Sequence, residues 1–69
     1  MADSNTGTRD ATYDLVAVLY HALKGAHNCE TYQRDASDDD LRGFFREAQD
    51  QQRQLADRAK KLLSQHLGG

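Results

Sequence analysis

Ala36-Ser37-Asp38-Asp39-Asp40-Leu41 is the stretch that decides the fold, because a helical pattern ends on one side of it and another begins on the other. Ser37 is placed to accept a hydrogen bond from the backbone N–H of Asp40, and the Asp40 carboxylate to answer back, as in a capping box. Three acidic side chains in a first turn also complement the positive end of a helix. The second helix is therefore expected from about residue 38 to His66, with Lys60 and Lys61 near its negative end and Gly68-Gly69 as a terminal tail. Working backward, the first helix is expected from about Ala11 to Ala36, capped by Asp10. Residues 1–9 are polar, carry Gly7 and show no periodicity, so they read as a loose tail. At 1.5 Å per residue both helices are roughly 40 Å long. So short a connection between them predicts an antiparallel two-helix hairpin over residues 10–67.

Each helix carries an apolar stripe with a heptad repeat. In the first it runs Leu15, Leu19, Ala22, Ala26, Cys29, Gln33 and Ala36; in the second, Leu41, Phe45, Ala48, Gln52, Leu55, Ala59, Leu62 and His66. Steps alternating between three and four residues are those of gently supercoiled helix packing. Folding the hairpin at Ser37 sets Ala36 near Leu41, Cys29 near Ala48, Ala26 near Gln52 and Ala22 near Leu55. Flanking apolar residues (Val18 and Leu23; Phe44, Ala56 and Leu63) make both stripes wider than a two-stranded seam requires. A chain of 69 residues also buries too little surface to be comfortable alone. The expected assembly is all-α: a homodimer of hairpins forming a four-helix bundle, with Leu15, Leu19, Ala22, Cys29, Gln33, Leu41, Phe45, Ala48, Ala59 and Leu62 in its core.

Composition removes several classes of function. Charged residues make up 29% and apolar residues 38% of the chain, a globular balance. A formal charge of −2 offers no electrostatic reason to bind nucleic acid, and no basic stripe is interleaved with aromatic residues. No apolar run approaches the ~18 residues of a membrane span. The first residues lack the basic and apolar regions of a secretion signal, which favours a cytoplasmic protein. One cysteine, Cys29, can form no internal disulfide and falls on the core stripe, where it acts as a small apolar residue.

The segment from Tyr20 to Leu63 resembles a rubrerythrin-type helix pair of the ferritin-like superfamily. The likeness is carried by Tyr20-His21-Ala22-Leu23-Lys24-Gly25-Ala26 and by Asp40-Leu41-Arg42-Gly43-Phe44-Phe45-Arg46-Glu47-Ala48, continuing through Gln52 and Leu55 to Lys61-Leu62-Leu63. The resemblance implies a four-helix bundle. In that superfamily two irons are held by a Glu from one helix and a Glu-x-x-His from the next in each half. Carried onto this chain, the resemblance puts Gln52 at the carboxylate position, Leu55 at the histidine position and Ala26 at the opposing carboxylate position. None of the three replaces a hard anionic or imidazole ligand of iron, so the usual di-iron site is expected to be degenerate.

Other candidate chemistry is sparse. His27 and Glu30 stand one helical turn apart and could share a cation if dimer symmetry doubled them. Glu47 and Asp50 have the same spacing on an outer polar face, where solvation is expected. His21 and His66 read as a surface residue and a helix-end residue. Gln33 and Gln52 interrupt apolar stripes, and an unsatisfied buried amide costs roughly 1–3 kcal/mol; they either fix the register of the assembly or line a small polar cavity. The expectation is a non-catalytic scaffold or interaction module without a cofactor, with a further protein partner left open. The alternative is a metal-binding or redox protein with a non-standard interfacial site, and a third reading is a small-ligand binder around Gln33 and Gln52.

Overall fold

The structure, a computed structural model, describes residues 10–68 and consists there of two helices, α1 (Asp10–Asp35) and α2 (Asp39–Gly68), packed as a hairpin. The expected tail at residues 1–9, and Gly69, lie outside the described residues. Helix α1 stops one residue short of Ala36, whose N–H bonds at 3.3 Å to the carbonyl of Gln33 in a tightened last turn. Helix α2 continues through His66 to Gly68 rather than ending at His66.

The cap between them is Asp38, not Ser37. Its carboxylate accepts the Leu41 N–H at 2.8 Å, and its carbonyl accepts the first helical bond, from the Arg42 N–H at 3.1 Å. An aspartate at this position both satisfies an orphan donor and faces the positive helix end, so it outcompetes the neighbouring serine. Asp40 therefore belongs to the first turn instead of closing a box. Arg42 then ties the turn together. Its Nη1 meets Asp39 Oδ1 at 2.7 Å and its Nη2 donates to the Ala36 carbonyl at 3.3 Å, beyond the end of α1.

The interior is made of small residues. Ala22, Ala26 and Cys29 of α1 and Ala56 and Ala59 of α2 are the buried apolar residues, with Ala22 and Ala56 each only 1% exposed. Alanine lets two helix backbones approach closely but brings little apolar area with it. Half-buried Leu15, Leu19, Phe45 and Leu63 extend this seam toward both ends. The seam residues of α1 are those read from the stripe.

On α2 the seam is rotated. Arg42, Phe45, Gln49, Gln52, Ala56, Ala59 and Leu63, a heptad line beginning one residue after the expected one, face α1. Leu41, Leu55 and Leu62 are thus outside the hairpin interior and exposed, Leu55 at 45%, while Ala48 is half-buried beside them. The physical reason is size: a helix lined with small residues packs most closely against another small residue, and the rotation puts Ala56 in the seam in place of Leu55, while Ala59 lies on both lines. Lengthwise register stays close to the expected one, because the Gln52 side chain lies against Gly25, one residue from the expected pairing with Ala26.

The result is a slab of 47 × 24 × 13 Å. Its shortest dimension barely exceeds the roughly 10–12 Å diameter of one helix. The radius of gyration, 15.3 Å, is well above the roughly 10 Å of a compact chain of this size.

Candidate functional site

Two helices in contact leave two open faces, and heptad spacing separates their residues. On one face Leu41, Ala48, Leu55 and Leu62 follow one another at sevens along α2, and Val18, Gly25 and Tyr32 do so along α1. Val18 and Leu62 line a shallow groove of ≈ 320 Å³ with Ala11, Asp14, Leu15 and His66 near the open end of the hairpin. Toward the turn, the Tyr32 and Phe45 rings lie 5.7 Å apart, and Phe44, 61% exposed, continues the cluster at 5.7 Å from Phe45. Offset and tilted ring pairs at these separations are favourable contacts. This face is uncovered apolar surface along the whole hairpin.

The other face is polar at its turn-ward end. Glu30, Gln33 and Arg34 of α1 and Arg42, Gln49 and Arg53 of α2 line a groove of ≈ 380 Å³. Its floor is a chain of amides: Gln33 Nε2 donates to Gln49 Oε1 at 2.9 Å, and Gln49 Nε2 donates to the Ala26 carbonyl at 2.9 Å. Gln49 is 7% exposed and is the one buried polar side chain among the described residues. Both ends of its amide are thereby occupied, which removes the penalty of burying it.

These positions sort the candidates. Gln33 and Gln52 do not line a common cavity: Gln33 bonds to Gln49, while Gln52 turns to the apolar-face side and rests against Gly25. Ala26 is buried and offers its carbonyl to Gln49; Leu55, at the resemblance's histidine position, points away from α1. His27 and Glu30 are both exposed, and Glu30 stands on the arginine-lined face rather than on the apolar one. No group of three or more His, Cys, Asp or Glu side chains capable of holding a metal ion occurs among the described residues. Cys29 is buried and free. Tyr13 and Tyr20 lie on the outer surface of α1, Tyr20 edge-on to His21 at 5.2 Å.

Gln49 is the residue that sequence reasoning missed. A signal for it exists: it is four residues after Phe45 and seven before Ala56, on a heptad line that also holds Ala59 and Leu63. Neither helix is long and apolar enough to cross a membrane. Compared with known protein families, characterised proteins and solved structures, the chain matches none.

Proposed function

We propose that the chain is a non-catalytic helical scaffold or interaction module, without a cofactor, that works in the cytoplasm as a homodimer. In this reading two hairpins stack through their apolar faces into a ferritin-like four-helix bundle. One observation carries it: the hairpin is a single layer 13 Å thick whose buried core is alanine and cysteine, while Leu41, Leu55 and Leu62 stand uncovered on one side and Val16, Leu23 and Leu67 are exposed on the other. Stable domains close an apolar core between at least two layers. The stripe of α2 that includes Leu41, Phe45, Ala48, Gln52, Leu55, Ala59 and Leu62 is half in the seam and half on the open face. That is the position of a bundle core, directed between α1 and a helix of a second layer.

A second copy suits this surface because the face is self-complementary in size. It alternates small Gly25 and Ala48 with large Tyr32, Leu41, Leu55 and Leu62, so one patch can meet its own rotated image. Charges at its rim also differ in sign, Asp14 beside the α1 line and Arg58 between Leu55 and Leu62 on α2. Packing α1 over the partner's α2 brings opposite signs together.

Sedimentation equilibrium tests the reading. The expected mass is twice that of the 7.8 kDa chain, with an unfolding midpoint that rises with protein concentration. A folded monomer at micromolar concentration, with a concentration-independent midpoint, overturns it.

A further inference from the structure

The groove on the opposite face reverses the electrostatic sign of the molecule. The chain carries a formal charge of −2, yet the groove is lined by three arginines and one carboxylate. Glu30 is placed to neutralise its neighbours, being one turn from Arg34 on the same helix and across the groove from Arg53. It does not: the one salt bridge among the described residues joins Arg42 to Asp39. Arg34 and Arg53 therefore face the groove without a carboxylate partner among those residues.

Two of the three guanidiniums also have partners on the protein among the described residues. Arg42 is fixed by Asp39 and by the Ala36 carbonyl, and Arg34 donates to the Thr31 hydroxyl at 3.4 Å. A guanidinium has five N–H donors; the two bonds of Arg42 leave three for another acceptor. Beneath them, the amides of Gln33 and Gln49 are locked to each other and to α1, so the floor is already ordered. Donors held in place before a ligand arrives lose less freedom when it binds. Arg42 and Arg53 are eleven residues apart, roughly 16 Å along the helix, with Arg34 set near Arg42 across the turn. That is a backbone separation, and the long arginine side chains can converge from these two poles of the groove on one small anion.

We infer that this groove is a binding site for a small polyanion, a phosphoester or polycarboxylate whose anionic groups engage Arg34 and Arg42 at one end and Arg53 at the other. Oxyanions of both kinds accept paired N–H donors from a guanidinium fork, whereas monovalent anions span only one pole. The site does not depend on dimerisation, since it lies on the face that stacked hairpins leave open.

Isothermal titration with the purified full chain tests it, using pyrophosphate and citrate as probes and sodium chloride and acetate at matched ionic strength as controls. Saturable binding of pyrophosphate or citrate, at least 10-fold tighter than acetate, is expected, and the preferred probe tells phosphate from carboxylate recognition. Arg53→Gln and Arg34→Gln should each weaken that binding at least 10-fold. Lys60→Gln removes the same charge outside the groove and should change it less than twofold. Circular dichroism of each variant confirms that the helices remain. Equal responses to pyrophosphate, citrate, acetate and chloride overturn the inference, as does equal weakening by Arg53→Gln and Lys60→Gln. Sedimentation on the same samples reports the dimer separately, so loss of either reading is distinguishable from loss of the other.

Discussion

The two flanks of α2 are separated by the width of one helix and carry opposite chemistry. Leu41, Ala48, Leu55 and Leu62 follow one flank at sevens; Arg46, Arg53 and Lys60 follow the other at the same interval. Between them runs a seam so poor in large side chains that the hairpin gains little from closing it. One flank thus supplies apolar area that only a further layer can bury, and the other supplies charge that only solvent or an anion can satisfy. A single amphipathic helix is being used three ways, and the seam is the least apolar of its apolar surfaces.

The same acid placed on each flank should have very different effects. Leu55→Asp and Arg53→Asp alter residues two apart in sequence, both on the surface of the hairpin. Desolvating a carboxylate against a partner's leucines is costly. Leu55→Asp should raise the dimer dissociation constant at least about 100-fold, equivalent to roughly 2.7 kcal/mol. Arg53→Asp should leave that constant within about threefold. It changes the formal charge by two where Leu55→Asp changes it by one, so general charge repulsion predicts the reverse order. Analytical ultracentrifugation over a concentration series checks both.

A smaller effect separates the two glutamines that flank the seam. Gln49→Ala deletes the acceptor for Gln33 and the second donor to the Ala26 carbonyl, which keeps only its bond within α1, and leaves the Gln33 amide without its partner beside the core. It should cost about 1–3 kcal/mol in urea unfolding at fixed protein concentration. Gln52→Ala removes a side chain that rests on Gly25 and should stay within about 0.5 kcal/mol. Equal losses would mean that the amide chain below the polar groove contributes nothing particular to it.

How far these features could be read from sequence depends on what periodicity measures. The turn was legible because a run of acids between two heptad stripes has few other meanings, although the capping role fell to Asp38 through its stronger interaction with the helix end. The seam of α1 was legible because its small residues lie on a single line. On α2 two heptad lines that share Phe45, Gln52 and Ala59 compete, and apolarity favours the one with Leu41, Leu55 and Leu62 over the one with Arg42 and Gln49. Packing chose the second line, which buries small Ala56 in the seam where the first would bury Leu55. The polar groove stayed hidden for the same reason: it rests on Gln49, which belongs to the seam only once α2 is rotated. The leucine line was legible, but not its direction: the expected pairings of Leu41 with Ala36 and Leu55 with Ala22 give way to exposure on the open face.

The two interior glycines offer the finest test, because they sit on different sides of the molecule. A methyl group at Gly43 would meet nothing within 4 Å, so Gly43→Ala should gain the full helix-propensity benefit of about 0.5–1 kcal/mol. At Gly25 the new Cβ would lie 3.2 Å from Gln52 Cδ and 3.3 Å from its Oε1. Gln52 is flexible and can give way, but its displacement consumes part of the same benefit, so the net gain at Gly25 should be smaller than at Gly43. Gly25 also lies on the apolar face between Val18 and Tyr32, where a second layer would approach. If that layer is another copy of the chain, Gly25→Ala should weaken dimerisation measurably while Gly43→Ala leaves it unchanged. Equal behaviour of the two variants in both unfolding and sedimentation would show that nothing packs over Gly25, and would move the interface away from this face.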